Sequence, residues 1–129
     1  MRPTIVIDAN PLISALMGGF SKEIIFNHHF EFITTDFTIK EIVKYLPYIA
    51  KKADVSEDFV KSLLDLIPVK VYEFKEYREK INEAKLLIKD KKDVDILALT
   101  LATGCLLWSN DKHFDGIKEI KLIKTKDFV

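Results

Sequence analysis

Residues 92–111, KDVDILALTLATGCLLWSND, decide the fold. Asp93 and Asp95 stand where a helix begins, ahead of a run that is apolar on nearly every side. A helix without a polar face is a core helix. Gly104 suits the helix C-terminus, because a left-handed residue there meets no Cβ clash. Cys105 to Trp108 then form a short continuous apolar run, the pattern of a strand buried on both faces of a parallel sheet. Asp111 follows at that strand's carboxyl end. Core elements that deliver carboxylates to one edge point to a cation site.

The totals agree with this reading. A chain of 129 residues, 48% hydrophobic and 31% charged, is expected to fold as one domain over residues 1–129. Twenty basic and twenty acidic side chains cancel, so the whole surface carries no net field to draw in nucleic acid, and any attraction has to be local. The single cysteine, Cys105, is expected to be buried and free, which fits a reducing compartment. The apolar run Ile5–Ile7 is too short for a signal peptide core or a membrane span, so a cytoplasmic protein without a membrane role is expected.

Outward from residues 92–111, the elements alternate. Thr4–Ile7 reads as a buried strand ending at Asp8, with Asn10 and Pro11 opening a helix that Gly18 and Gly19 stop. Ser21 is expected to cap a second helix, and Phe30–Thr34 to form a second strand. Thr38 and Glu41 match a capping box opening a third helix, which Pro47 breaks. Ser56 opens a fourth helix that Pro68 ends, and Val69–Tyr72 is a third strand. Glu76–Lys89 is expected to be one amphipathic helix, and Lys121–Thr125 a fifth strand. Strands separated by helices imply a parallel sheet covered on both faces. Ligands bind such sheets beyond the strand carboxyl ends, where strand order reverses. If the strands ending in Asp8 and Asp111 are neighbours, they lie about 5 Å apart, close enough to share one cation.

Each acid also has an ordinary role. Asp8 and Asp111 suit turns, Thr38–Glu41 suits a cap, and Asp93 and Asp95 suit a helix N-terminus. Jointly they fall on one sheet edge, where carboxylates without a cation would repel one another and raise each other's pKa. Magnesium is held by a few such carboxylates while keeping waters. Other side chains have plainer readings. His28 and His29, adjacent on a helix, face different ways; Lys89, Lys91 and Lys92 form a charge run beside the acids. His113 is a turn residue or a substrate contact, Phe20 and Tyr45 could stack on bases, and Trp108 is core packing.

The strand-Asp-x-Asn opening at Ile5–Asn10, the helical glutamate in Thr38–Ile42, the Asp-led apolar helix and the closing Trp108–Ser109–Asn110–Asp111 together resemble the PIN domain family. The resemblance covers almost the whole chain in order. It implies an α/β fold, a three-layer α/β/α sandwich with parallel strand order 3-2-1-4-5, which makes the first and fourth strands neighbours. It also implies a ribonuclease dependent on Mg²⁺ or Mn²⁺ that leaves a 5′-phosphate and a 3′-hydroxyl, as in VapC-like toxins of type II toxin–antitoxin pairs.

The implied catalytic set is Asp8, Glu41, Asp93 and Asp111, with Asp8, Asp93, Asp95 and Asp111 as metal-ligand candidates. A gapless count back from Asp111 places the family's third acid at Asp93, with Asp95 as runner-up. Asn10 and Ser109 match supporting polar positions, and Lys112 is a candidate phosphate contact. RNA, an antitoxin and a second copy of the chain are the implied partners. The different-class alternative is a PIN fold acting as an RNA-binding or regulatory module with little or no nuclease activity. A dehalogenase-like phosphatase would want an acid where Asn10 stands, and no glycine-rich phosphate loop with a lysine is present.

Overall fold

The computed structural model describes residues 2–128; residues 1 and 129 of the expected domain lie outside them. Five strands, β1 (Thr4–Ile7), β2 (Glu31–Thr35), β3 (Val69–Tyr72), β4 (Leu106–Trp108) and β5 (Leu122–Ile123), form one parallel sheet in the order β3-β2-β1-β4-β5. The strand order is the one the resemblance implied. β1 pairs with β4 in the register Ile5–Leu106, Val6–Leu107 and Ile7–Trp108, so Asp8 leaves the sheet beside Ser109.

One face of the sheet is covered by α1 (Ala9–Leu16), α2 (Ser21–Phe26), α3 (Asp36–Lys44), α4 (Leu46–Ala53) and α5 (Glu57–Leu66). Their inward residues pack with Ile5, Ile7 and Trp108. The other face is covered by α6 (Ile81–Leu87) and α7 (Val94–Thr103), which pack with Val6, Ile33 and Leu107. Two apolar layers on one sheet account for the high hydrophobic content. α7 is the helix without a polar face: Val94, Ile96, Leu97, Ala98, Leu99 and Thr100 are all buried. It ends at Gly104, whose φ of 69° is the left-handed conformation expected there. Among the described residues, no helix is long and apolar enough to cross a membrane.

Several local expectations are corrected. Asp8, not Asn10, caps α1, its Oδ1 accepting the Ala9 N–H at 2.8 Å. Ser21 is a buried residue inside α2 and caps nothing. His28 and His29 lie in the turn beyond α2, with His28 at φ 66°, rather than on a helix. Cys105 is half-buried just before β4 rather than within it. The long helix expected over Glu76–Lys89 is two single 3-10 turns, Phe74–Glu76 and Arg78–Lys80, followed by the short α6. The fully buried Tyr77 sits between those turns, and burying its ring there breaks the helical period.

The start of α3 bears on the site. Its cap is Thr35, whose Oγ1 accepts the Thr38 N–H at 2.9 Å and shares a 2.7 Å hydrogen bond with the Thr38 hydroxyl. Thr38 is thus the third helical residue, and Glu41 is a full turn too late to close a capping box. Its carboxylate is left free of the backbone. Thr35→Ala is expected to cost about 1 kcal/mol of stability, and Glu41→Gln a few tenths at most. Urea melts of the two variants check this, and the reverse ranking would restore the capping role to Glu41.

Candidate active site

Strand β1 and strand β4 end side by side, and one hydroxyl ties those ends together. Ser109 Oγ donates to Asp8 Oδ2 at 2.7 Å and accepts the Asp111 N–H at 3.1 Å. Ser109 itself is fully buried. Asp8 is held from both sides, by Ser109 on one oxygen and by the Ala9 N–H on the other. Asp111 uses Oδ1 to accept the His113 N–H at 2.9 Å, capping the 3-10 turn Lys112–Phe114. Asn10 lines the same cavity as the acids but makes no hydrogen bond to them. Its Oδ1 accepts the Asn110 N–H at 3.3 Å, and Asn110 is pinned in turn to Thr125 by two further hydrogen bonds.

Asp93 arrives from the other layer. It ends the 3-10 turn Lys91–Asp93 and precedes α7, yet its side chain makes no capping bond. Its Oδ2 instead lies 2.7 Å from His113 Nδ1. Asp8, Glu41, Asp93 and Asp111 line one cavity of about 230 Å³, together with Thr38, Tyr45 and Lys92. Glu41 faces it from α3, its Oε1 paired with Lys44 Nζ at 3.0 Å. Asp95, two residues after Asp93, turns elsewhere, because helical residues two apart point about 200° apart. Its Oδ2 accepts the Tyr77 hydroxyl at 2.6 Å and lines a neighbouring groove. The structure therefore brings four of the expected acids together and leaves Asp95 out. Lys112 is exposed and outside the cavity wall; the cation in the wall is Lys92.

The charge balance is unfavourable to the bare acids. Asp8 and Asp93 are buried, at 9% and 7% exposure. Burial is the largest cause that raises the Asp8 pKa; the Ser109 and Ala9 hydrogen bonds oppose it, and the Asp111 charge adds to it. Asp93 is pushed up to about 6, first by burial and then by Asp8, Asp111 and Asp90, against the lowering hydrogen bond from His113. Among the described residues, the only cationic group within 4.0 Å of Asp8, Asp93 or Asp111 is the His113 imidazole. The Asp93 hydrogen bond, and then the Asp111 charge, raise that imidazole's pKa in turn. Buried carboxylates are paired or coordinate a metal. Each of these retains free lone pairs toward the cavity, so an oxygen donor set of this kind fits a hard divalent cation.

His113 is the residue whose role at the site the sequence left undecided. Besides Asp93, its Nδ1 lies 3.4 Å from Asp111 Oδ1 and 3.7 Å from Asp90 Oδ2. Asp90, Asp93 and His113 offer ligand atoms within 4.8 Å of one another. The available signal was the two-residue step from Asp111, which a tight turn folds back over the acid. Trp108 is fully buried, with its Nε1–H donating to Thr125 Oγ1 at 3.0 Å, so it packs and is not available for stacking.

The family model described as PIN domain matches residues 6–126. No curated protein matches the chain. Among solved structures, the fold is similar to a DNA-bound VapBC from Salmonella typhimurium, at 11% identity and TM-score 0.70, covering 96% of this chain and 98% of that one. It is similar to a toxin–antitoxin complex from Klebsiella pneumoniae, at 20% identity and TM-score 0.67, covering 92% and 95%. It also resembles VapBC2 from Rickettsia felis bound to a promoter DNA fragment, at 15% identity and TM-score 0.64, covering 94% and 98%.

Proposed function

This chain belongs to the PIN domain family, whose members are nucleases, and from that premise we propose that residues 1–129 form a single metal-dependent endoribonuclease domain. The observation that carries the proposal is the meeting of Asp8, Asp93, Asp111 and Glu41 around one cavity, drawn from the residues that follow β1 and β4, the turn before α7, and α3. Asp8, Asp93 and Asp111 are the residues to hold Mg²⁺ or Mn²⁺. Such an ion supplies charge for the scissile phosphate and acidifies a bound water.

The remaining roles fall to this chain's own side chains. Ser109 fixes the Asp8 carboxylate and the Asp111 backbone, so the two ligands are presented at a set separation. Glu41, free of capping duty, orients the attacking water across the cavity. Lys92 carries a non-bridging phosphate oxygen. The water oxygen bonds to phosphorus and the P–O3′ bond breaks, leaving a 5′-phosphate and a 3′-hydroxyl. Asn10 keeps the Asn110 loop, and with it Asp111, docked against α1.

The shared fold with toxin–antitoxin complexes supports a toxin role with an antitoxin partner, in the cytoplasm. Exposed apolar residues on α4 and α5, Tyr48 and Phe59 among them, support a homodimer. The deciding experiment is cleavage of a mixed RNA pool with Mg²⁺, with Mn²⁺ and with EDTA. Cleavage with either ion and none with EDTA is expected, with end-labelling that finds 5′-phosphate. Cleavage that survives EDTA would sink the metal-dependent reading, and tight RNA binding without cleavage would make the chain a binding module.

A further inference from the structure

Beside the acid cavity runs a larger groove of about 730 Å³, between the Phe74–Glu76 turn, α6 and the start of α7. Its wall carries Lys85, Lys89 and Lys91, and its floor is apolar, formed by Ile81, Ile88 and Val94. Phe74, 49% exposed, stands in the same wall and is held edge-on against Tyr77 at 5.6 Å, so it is a fixed aromatic surface.

The charges here are sorted in an unusual way for a chain of zero net charge. Several acids of this region have local partners: Glu73 with Lys75 at 3.6 Å, Glu83 with Lys80 at 3.6 Å, Asp90 with the Lys92 N–H at 2.9 Å, and Asp95 with the Tyr77 hydroxyl at 2.6 Å. Among the described residues, Lys85, Lys89 and Lys91 have no acidic partner within 4.0 Å. The groove thus presents three ammonium groups against one carboxylate, Asp95, over an apolar floor with one aromatic plane. The groove and the acid cavity lie on either side of the one turn that ends at Asp93, with Lys91 lining the groove and Lys92 the cavity.

We propose that this groove is a docking track for single-stranded RNA, leading the strand away from the scissile phosphate. Lysines that carry phosphates give sequence-independent affinity, and an aromatic face takes an unstacked base. A duplex hides its base faces, so the apolar floor and Phe74 select a single strand. An acidic peptide would use the lysines but has no need of the exposed Phe74 ring, which an unstacked base would cover. The proposal rests on the nuclease reading for its direction, but its test does not depend on cleavage.

The test is binding, in EDTA, of a fluorescein-labelled 12-nucleotide single-stranded RNA to the full chain over a salt series. Converting Lys85, Lys89 and Lys91 together to alanine is expected to lower the slope of log K against log salt by about 2. Phe74→Ala is expected to weaken binding roughly tenfold, with Phe74→Trp restoring it and unchanged circular dichroism in every variant. The matching duplex should bind far more weakly and ignore Phe74. Unaltered affinity and slope in the triple variant would overturn the track even if the wild type cleaves RNA. Equal, Phe74-independent displacement by polyglutamate would overturn it in favour of an acidic protein partner. Lysine- and Phe74-dependent binding by a chain that never cleaves would uphold the track while the nuclease reading fails.

Discussion

Replacing Asp111 or Asp8 by asparagine is expected to lower Mg²⁺-supported RNA cleavage by about a thousandfold while the fold survives. The magnitude follows from losing one ligand charge at a centre whose stabilisation of the transition state is several kcal/mol, at about 1.4 kcal/mol per factor of ten. The fold survives because an amide is nearly the same shape. Its oxygen can still accept the Ala9 N–H that caps α1. Asp8→Ala is the poorer variant, since it removes cap and ligand together. Two measurements read the prediction: single-turnover cleavage, and the rise in Tm that Mg²⁺ or Mn²⁺ produces. Both should be present in wild type and absent in the asparagine variants. Undiminished cleavage in both would move the reaction to another site.

Asp93→Asn has an effect of the opposite sign on stability, and it is the second large one. The Asp93 pKa stands at about 6 in the folded chain against 3.8 ordinarily. A carboxyl whose pKa rises on folding binds its proton more tightly in the native state. The Asp93 contribution to native stability therefore falls as pH climbs from about 4 to about 6, and is flat above that. At about 1.4 kcal/mol per tenfold change in proton affinity, the cost of ionised Asp93 at pH 8 is about 3 kcal/mol. Asparagine removes that cost but forfeits the charged hydrogen bond with His113, so a net gain of about 1–3 kcal/mol is expected in EDTA at pH 8. The check is urea unfolding at pH 4.5 and pH 8: the wild type should lose stability between them and the variant much less. With Mg²⁺ the sign reverses, because the ion competes with the proton and binds better as pH rises. A variant less stable than wild type in EDTA at pH 8 would mean that Asp93 is a structural cap after all.

How far the sequence reaches is clearest at the two ends of the site. β1 and its terminal Asp8 were legible from four β-branched and apolar residues, and α7 and β4 from an apolar run divided by Gly104. That Asp8 and Asp111 are neighbours was not, since strand order is a matter of which edges pair; it came from the resemblance. At Glu41 the local pattern and the resemblance point different ways: Thr38-x-x-Glu41 is a good cap signal, but the actual cap, Thr35, sits at the end of a strand whose boundary the pattern does not mark, and Glu41 lines the cavity with the other acids. Asp93 and Asp95 are told apart in sequence only by the count back from Asp111; in the structure His113 reaches Asp93, while the buried Tyr77 hydroxyl takes Asp95 from outside α7. Tyr77 also explains the missing helix over 76–80, where tertiary burial overrode a helical period. The groove was invisible for a related reason. Lys89 and Lys91 read as a charge run with Lys92, and nothing in the sequence joins Lys85 to them until α6 is placed beside that turn.

The hydroxyl of Ser109 joins residues 101 positions apart. During translation the first strand leaves the ribosome almost at once, but its partner at 106–108 comes in the last quarter of the chain. Until that segment has emerged and slotted between β1 and β5, no nascent polypeptide can display the two carboxylates together. On the function proposed above, the acidic site is therefore incomplete in any fragment that stops before residue 106, and such a fragment is expected to cleave nothing.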